Sequence, residues 1–148
     1  MVIMNSRRAA GLPGIVLTAL LMVIALTGCT GSQTAATAKG LPANGSAVKA
    51  AEFEAAMKQP KTVILDVRIP TEFASGHIAD AINIDVNAAD FTVQINALAK
   101  DVPYAVYCRS GSRSGAALKI MAKEGFTNTY HLAGGISAWT SSGRPVVA

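Results

Sequence analysis

The sequence predicts one α/β domain with a largely parallel sheet, on two observations. Short continuous apolar runs such as Val63-Ile64-Leu65 and Tyr104-Ala105-Val106-Tyr107 are what strands covered on both faces require. Stretches with apolar residues at helical spacing alternate with these runs over about 100 residues, the mark of strand, helix, strand units joined by right-handed crossovers. A first helix is expected over Ala50 to Met57, with Ala51, Phe53, Ala56 and Met57 toward one side. Strand Val63 to Leu65 follows, then a second short strand at Ile82 to Ile84. Val93, Ile95, Leu98 and Ala99 recur at helical spacing within Val86 to Ala99, and Pro103 interrupts before the strand Tyr104 to Tyr107. Ala116, Ala117, Leu118, Ile120 and Met121 make an apolar helix that Gly125 can close. Thr127 to Leu132 reads as a last strand, and Ile136 to Ser141 as a short helix after the Gly134-Gly135 turn.

Composition narrows the class. Of 148 residues, 51% are hydrophobic and 15% charged, which suits one compact core and excludes a low-hydrophobicity disordered chain. Arg7 and Arg8 account for part of the formal +4; without them 13 − 2 = 11 basic residues face 9 acidic ones. No stretch of basic residues interleaved with aromatics exists, so no nucleic-acid partner is expected.

Residues 1–28 read as a signal peptide: Arg7 and Arg8 give the positive start, and Ile15 to Leu26 form an apolar run broken only by Thr18. That run falls short of the roughly 20 residues a comfortable membrane span needs. Leu26-Thr27-Gly28-Cys29 resembles a bacterial lipobox, where cleavage leaves the cysteine as a lipid-modified N-terminus; an ordinary signal peptide or an uncleaved anchor is the alternative. The expectation is an exported protein held to a membrane by lipid on Cys29, on the extracytoplasmic side. The Thr, Ala, Gly and Ser-rich stretch 29–45 then serves as a tether, and 46–148 as the folded domain.

With Cys29 acylated, Cys108 is the one thiol left in the domain and no internal disulfide can form. An exported chain that keeps a lone cysteine without a disulfide points to a chemical thiol, with a buried inert thiol as the alternative. Cys108 stands where a strand ends, followed by Arg109-Ser110-Gly111-Ser112-Arg113-Ser114, after which the next helix is expected. Ligands bind at the carboxyl ends of parallel strands, and small residues let successive N–H groups turn inward as an anion nest. The helix start adds partial positive charge, and Arg109 and Arg113 push the same way. An ordinary thiol is only about 3% ionised at pH 7, so such a nest would turn Cys108 into a working nucleophile.

These residues carry a resemblance. Leu65-Asp66-Val67-Arg68, Glu72-Phe73, Gly76-His77-Ile78, Ala81-Ile82-Asn83, Tyr107-Cys108-Arg109-Ser110-Gly111, Arg113-Ser114 and Gly134-Gly135-Ile136-Ser137-Ala138-Trp139 stand in the order and spacing of the rhodanese family, the single-domain sulfurtransferases. The resemblance covers about Ser46 to Val146. It implies a five-stranded parallel sheet flanked by helices. It also implies that Cys108 accepts a sulfane sulfur from a donor such as thiosulfate and passes it, as a persulfide, to a thiol or cyanide acceptor. The loop Arg109 to Ser114 would bind the donor, and no metal or organic cofactor is required. One departure is Asp80, where the family usually has glycine; Asp tolerates the left-handed turn better than most residues.

Other polar residues are expected to be structural. Asp66, Arg68 and Glu72 follow a buried strand, and an ion pair fixing the Arg68 to Phe73 turn is expected. His77 lies far along the chain from Cys108, and the resemblance gives it a hydrogen-bonding role. Trp139 belongs to the core, and His131 ends a strand with no second ligand spaced for a metal. Two rival readings remain. A Cys-dependent phosphatase or arsenate reductase of the dual-specificity type has arginine one residue later, where this chain has Ser114. A non-catalytic persulfide carrier or binding module shares the same cysteine and differs only in its acceptor.

Overall fold

A computed structural model describes residues 40–148. The signal segment, Cys29 and the tether up to residue 39 lie outside the described residues. The described elements are β1 (Ser46–Val48), α1 (Ala50–Met57), β2 (Val63–Asp66), α2 (Pro70–Ala74), β3 (Ile82–Asn83), α3 (Phe91–Asn96), β4 (Tyr104–Tyr107), α4 (Ser112–Lys123), β5 (Thr129–Leu132) and α5 (Gly135–Ser141). They form a five-stranded sheet in the order β1-β5-β4-β2-β3, every pairing parallel. The α/β class and the five-stranded parallel sheet flanked by helices are as expected.

The centre of the sheet is β4, whose four residues are all buried. Alternation along it deals its side chains to two cores. Tyr104, Val106 and then Cys108 join Leu65, Ile95, Leu118 and Met121 on the face covered by α3 and α4. Ala105 and Tyr107 join Phe53, Tyr130, Leu132 and Trp139 on the face covered by α1 and α5. Phe53 anchors the second core, meeting Tyr130 and Trp139 edge-on at centroid distances of 5.8 and 6.2 Å. Trp139 is buried there, as expected.

Several elements differ from expectation, each for a local reason. The strand β1 gives no pattern in three residues; it exists because Ser46, Ala47 and Val48 pair with Tyr130, His131 and Leu132. The domain also begins before Ser46. Leu41 packs on the second core, and Asn44 Oδ1 accepts from the Thr129 N–H at 2.8 Å and its hydroxyl at 3.0 Å. Helix α2 opens on Pro70 after an extended Ile69, which suits a proline-led first turn. Helix α3 is shorter than expected: Phe91 and Ile95 are buried while Val93 is 72% exposed, so the inward stripe runs through Phe91 instead. Ala51 likewise faces outward from α1. Helix α4 starts at Ser112, which puts Arg113 and Ser114 in its first turn and not in the preceding loop. It ends as expected, with Gly125 at φ 90° and the Phe126 N–H donating to the Met121 carbonyl at 3.0 Å. Asp80 does adopt the left-handed conformation, at φ 63°.

Candidate active site

Cys108 is the first residue beyond β4, at the carboxyl end of the central strand. Its residue surface is fully covered, which an inert core cysteine would also show. The difference lies in what surrounds the sulfur. The Gly111 N–H donates to Sγ at 3.1 Å. Burial pushes the thiol pKa up, but hydrogen bonds from the Ser114 hydroxyl and from the Ser114, Gly111 and Ser110 amides outweigh it and leave the pKa lowered. The sulfur is thus hidden from water yet held by polar donors.

Two glycines shape the loop. Gly111 caps α4 at φ 100°, a conformation that side chains avoid, and a Cβ there would lie 3.3 Å from the Gly134 nitrogen. Gly135, at φ 59°, sits hard against the loop: a Cβ would come within 2.5 Å of the Cys108 and Arg109 backbone. That close approach lets the Ile136 N–H donate to the Cys108 carbonyl at 2.8 Å and the Ser137 N–H to the Arg109 carbonyl at 3.2 Å. With those two carbonyls engaged by the start of α5, the amides that follow are left to face the sulfur. The sequence showed the Gly134-Gly135 turn but not its contact with Cys108, because the two are separated by α4 and β5.

The other expected site residues fall into two groups. Arg109, Ser110 and Ser112 are exposed at the rim, and Gly111 is half-buried. Ser114 is buried beneath them, its Oγ 3.1 Å from the Gly111 carbonyl and 3.0 Å from His131 Nδ1. Arg113 and Glu72 require a correction. Glu72 does not brace the Arg68 to Phe73 turn; its carboxylate takes both ends of the Arg113 guanidinium at 2.7 and 2.9 Å, tying α2 to α4. The Arg113 hydrogen bonds hold the Glu72 carboxyl below its ordinary range.

Arg68 forms a buried ion pair with Asp66 at the end of β2, not across the Arg68 to Phe73 turn. Arg68 Nη2 reaches Asp66 Oδ2 at 2.6 Å, and the same nitrogen donates to the Gly76 carbonyl at 2.8 Å. His77 is bonded into the fold as well: Nδ1 lies 3.1 Å from the Phe73 carbonyl, the ring stacks on Phe73 at 3.8 Å, and its backbone bridges to Val147. A cleft of about 340 Å³ opens beside the loop, lined by Arg109, Ser137, Thr140 and Val146 with the paired Arg68 and Glu72. Among the described residues, no cluster of His, Cys, Asp or Glu is grouped to hold a metal. His131, which the sequence left without a role, bonds to Ser114 beneath the loop, a contact that sequence reasoning missed. Its link to Ser114 spans 17 residues and shows only once β5 lies against α4.

Comparison with known proteins agrees with this fold. A sulfurtransferase of Allochromatium vinosum is 35% identical over 86 residues, 58% of this chain and 78% of the relative. The thiosulfate sulfurtransferase GlpE of Pseudomonas fluorescens is 35% identical over 92 residues, 62% of this chain and 82% of that protein. The crystal structure of a rhodanese-related protein from Thermoplasma volcanium superimposes with a TM-score of 0.62 at 34% identity, covering 69% of this chain and 97% of its own. The profile of the rhodanese-like domain matches residues 49–142, well over half the chain, and the chain belongs to the rhodanese-like family.

Proposed function

We propose that this chain is an exported, lipid-anchored sulfurtransferase in which Cys108 carries sulfane sulfur as a persulfide. The observation that carries the reading is the Cys108 sulfur, removed from water yet facing the Gly111 amide and the Ser114 hydroxyl, with its pKa lowered. In the first step the thiolate attacks the outer sulfur of thiosulfate or a related donor; the S–S bond of the donor breaks, and sulfite leaves with the electron pair. The charge stays on the new terminal sulfur, within reach of the same donors. A thiol or cyanide then attacks that terminal sulfur and Cys108 returns as thiolate, so no external oxidant or reductant enters. Arg109, exposed at the rim and lining the cleft, is the cation for an anionic donor. Arg113, engaged by Glu72, holds the loop.

The relatives named as sulfurtransferases support this chemistry, and the loop length argues against phosphate chemistry. Ser114 occupies the phosphatase arginine position and points inward to Gly111 and His131. The full coverage of Cys108 favours a second reading, a carrier that shields its persulfide until an acceptor docks. Repeated turnover with cyanide, against a single equivalent of sulfur loaded without turnover, separates the two.

Cys108→Ser should abolish sulfur transfer and leave the fold intact, because the serine hydroxyl inherits the same amide donors. Retained transfer would sink the mechanism, and loss of fold would favour an inert core cysteine. Labelled fatty acid should appear on the wild-type chain and vanish in Cys29→Ala, since stable anchoring needs acyl chains there. A wild-type chain that takes no label would remove the lipoprotein part of the proposal.

A further inference from the structure

We propose that the cleft beside Arg109 holds the carbon substituent of an organic thiosulfonate, and that Val146, near the carboxyl end of the chain, is the residue that selects such a donor over inorganic thiosulfate. The inference rests on the reading of Cys108 as the sulfur carrier. Hydrogen bonds join the cleft to the loop. Ile136 and Ser137 line it, and their N–H groups donate to the Cys108 and Arg109 carbonyls at 2.8 and 3.2 Å. Its volume of about 340 Å³ falls among clefts that hold organic ligands, about 300–1,000 Å³, and is several times what a thiosulfate ion fills.

The lining groups left over for a ligand are of two kinds. Arg68 and Glu72 are engaged by Asp66 and Arg113. The Ser75 hydroxyl donates to the Thr71 carbonyl at 2.7 Å, and the Thr140 hydroxyl lies 3.1 Å from the Ile136 and Ser137 carbonyls. Arg109 is bonded to no carboxylate among the described residues, so its guanidinium and the exposed Ser137 hydroxyl remain to bind the oxygens of an anion. The rest of the lining, Gly76, Ile136 and Val146, is apolar. An anion-binding end joined to an apolar wall suits an ion that bears a carbon chain.

The chain on either side of Val146 holds it at the cleft. Before it, Arg144 Nε donates to Glu54 Oε2 at 2.9 Å, and the Trp139 indole N–H donates to the Pro145 carbonyl at 2.8 Å. After it, Val147 and His77 exchange two backbone hydrogen bonds, at 2.8 and 2.9 Å. Between these anchors the Val146 side chain lies over Gly76, where a Cβ would stand 3.5 Å from Cγ2, and it is still 41% exposed. Apolar surface held open in a cleft is what a carbon substituent can cover. The transfer step balances. The Cys108 thiolate attacks the outer sulfur of the thiosulfonate, the S–S bond breaks, and a sulfinate leaves with the electron pair as the persulfide anion forms on Cys108.

Alkanesulfonates share the anionic head but have no sulfur to give, so they test the cleft apart from transfer. The full-length chain is titrated with the series from methanesulfonate to hexanesulfonate by calorimetry. In the wild type, Kd should tighten by about two- to fourfold for each added methylene until the cleft is filled. Val93→Ser, at an exposed residue outside the cleft, should keep that gain. Val146→Ser should bind hexanesulfonate about five- to twentyfold more weakly than the wild type, with a smaller loss for methanesulfonate, and Val146→Leu should retain the gain. An affinity that does not change with chain length in the wild type, or an unchanged gain in Val146→Ser, overturns the assignment. Sulfonates that bind as expected, with no sulfur loaded on Cys108 from the matching thiosulfonates, would overturn the transfer reading instead and leave the apolar subsite standing.

Discussion

Two neighbouring strands of this sheet end on an acidic group, and the molecule treats them in opposite ways. At the end of β2, Asp66 is wholly buried and its charge is cancelled by a side-chain cation, Arg68, which is only 6% exposed and also ties down the Gly76 carbonyl. At the end of β4, Cys108 is equally buried, and the hydrogen bonds that lower its pKa come from amides and a hydroxyl. A guanidinium clamped on a carboxylate fixes the chain and uses up the charge. Backbone dipoles stabilise a negative charge without bonding to it, so the sulfur they hold keeps an electron pair for reaction. The same end of the same sheet thus gives one lock and, on the proposed function, one reactive centre.

Breaking the lock should have the largest effect on stability. Asp66→Ala leaves the buried Arg68 charge unpaired and should cost about 3–5 kcal/mol in urea unfolding. Adding Arg68→Leu in the same chain should return part of that loss, because the orphaned charge is gone. Equal destabilisation of the single and double variants would mean that volume, and not charge, holds β2.

The dipole-held centre should instead be sensitive to backbone placement. Gly135→Ala forces a methyl into the Cys108 and Arg109 backbone at a left-handed position, at a cost of about 2–4 kcal/mol. Where the variant still folds, sulfur loading should fall more steeply than stability, since the amides turn away from Sγ. Wild-type loading in a destabilised Gly135→Ala chain would show that α5 does not position the loop.

The smallest effects belong to the rim and separate its two arginines. Arg109→Ala should lower kcat/KM for thiosulfate by about ten- to a hundredfold and spare a neutral donor. Arg113→Ala should cost under about 1 kcal/mol of stability, because its pair with Glu72 is partly exposed, and should affect both donors alike. Identical donor profiles for the two variants would contradict the division of labour.

The legibility of the sequence follows the same contrast. Local signals marked β4, α1 and the small-residue loop: a continuous apolar run, an amphipathic turn, and Ser-Gly-Ser between strand and helix. Their consequences were readable because each acts within a few residues of itself. That Arg68 would enter an ion pair was readable for the same reason, although its partner proved to be Asp66 two residues back and not a residue of the following turn. What the sequence withheld acts across the sheet. Glu72 with Arg113 spans 41 residues, Ser114 with His131 spans 17, and Gly135 reaches back to Cys108 over a whole helix and strand. β1 and the packing of Leu41 and Asn44 were hidden likewise, since three residues carry no period and their order comes from β5. Val93 misled because helical spacing in a six-residue helix cannot tell which stripe faces in.

The most direct test of the central claim is the mass of the Cys108 peptide after the full-length chain is mixed with thiosulfate. The account predicts a gain of about 32 Da, one sulfur atom, on Cys108 alone, with one equivalent of sulfite released and the gain reversed by cyanide. An unchanged Cys108 mass in a folded chain, or sulfur gained at another residue, would contradict it.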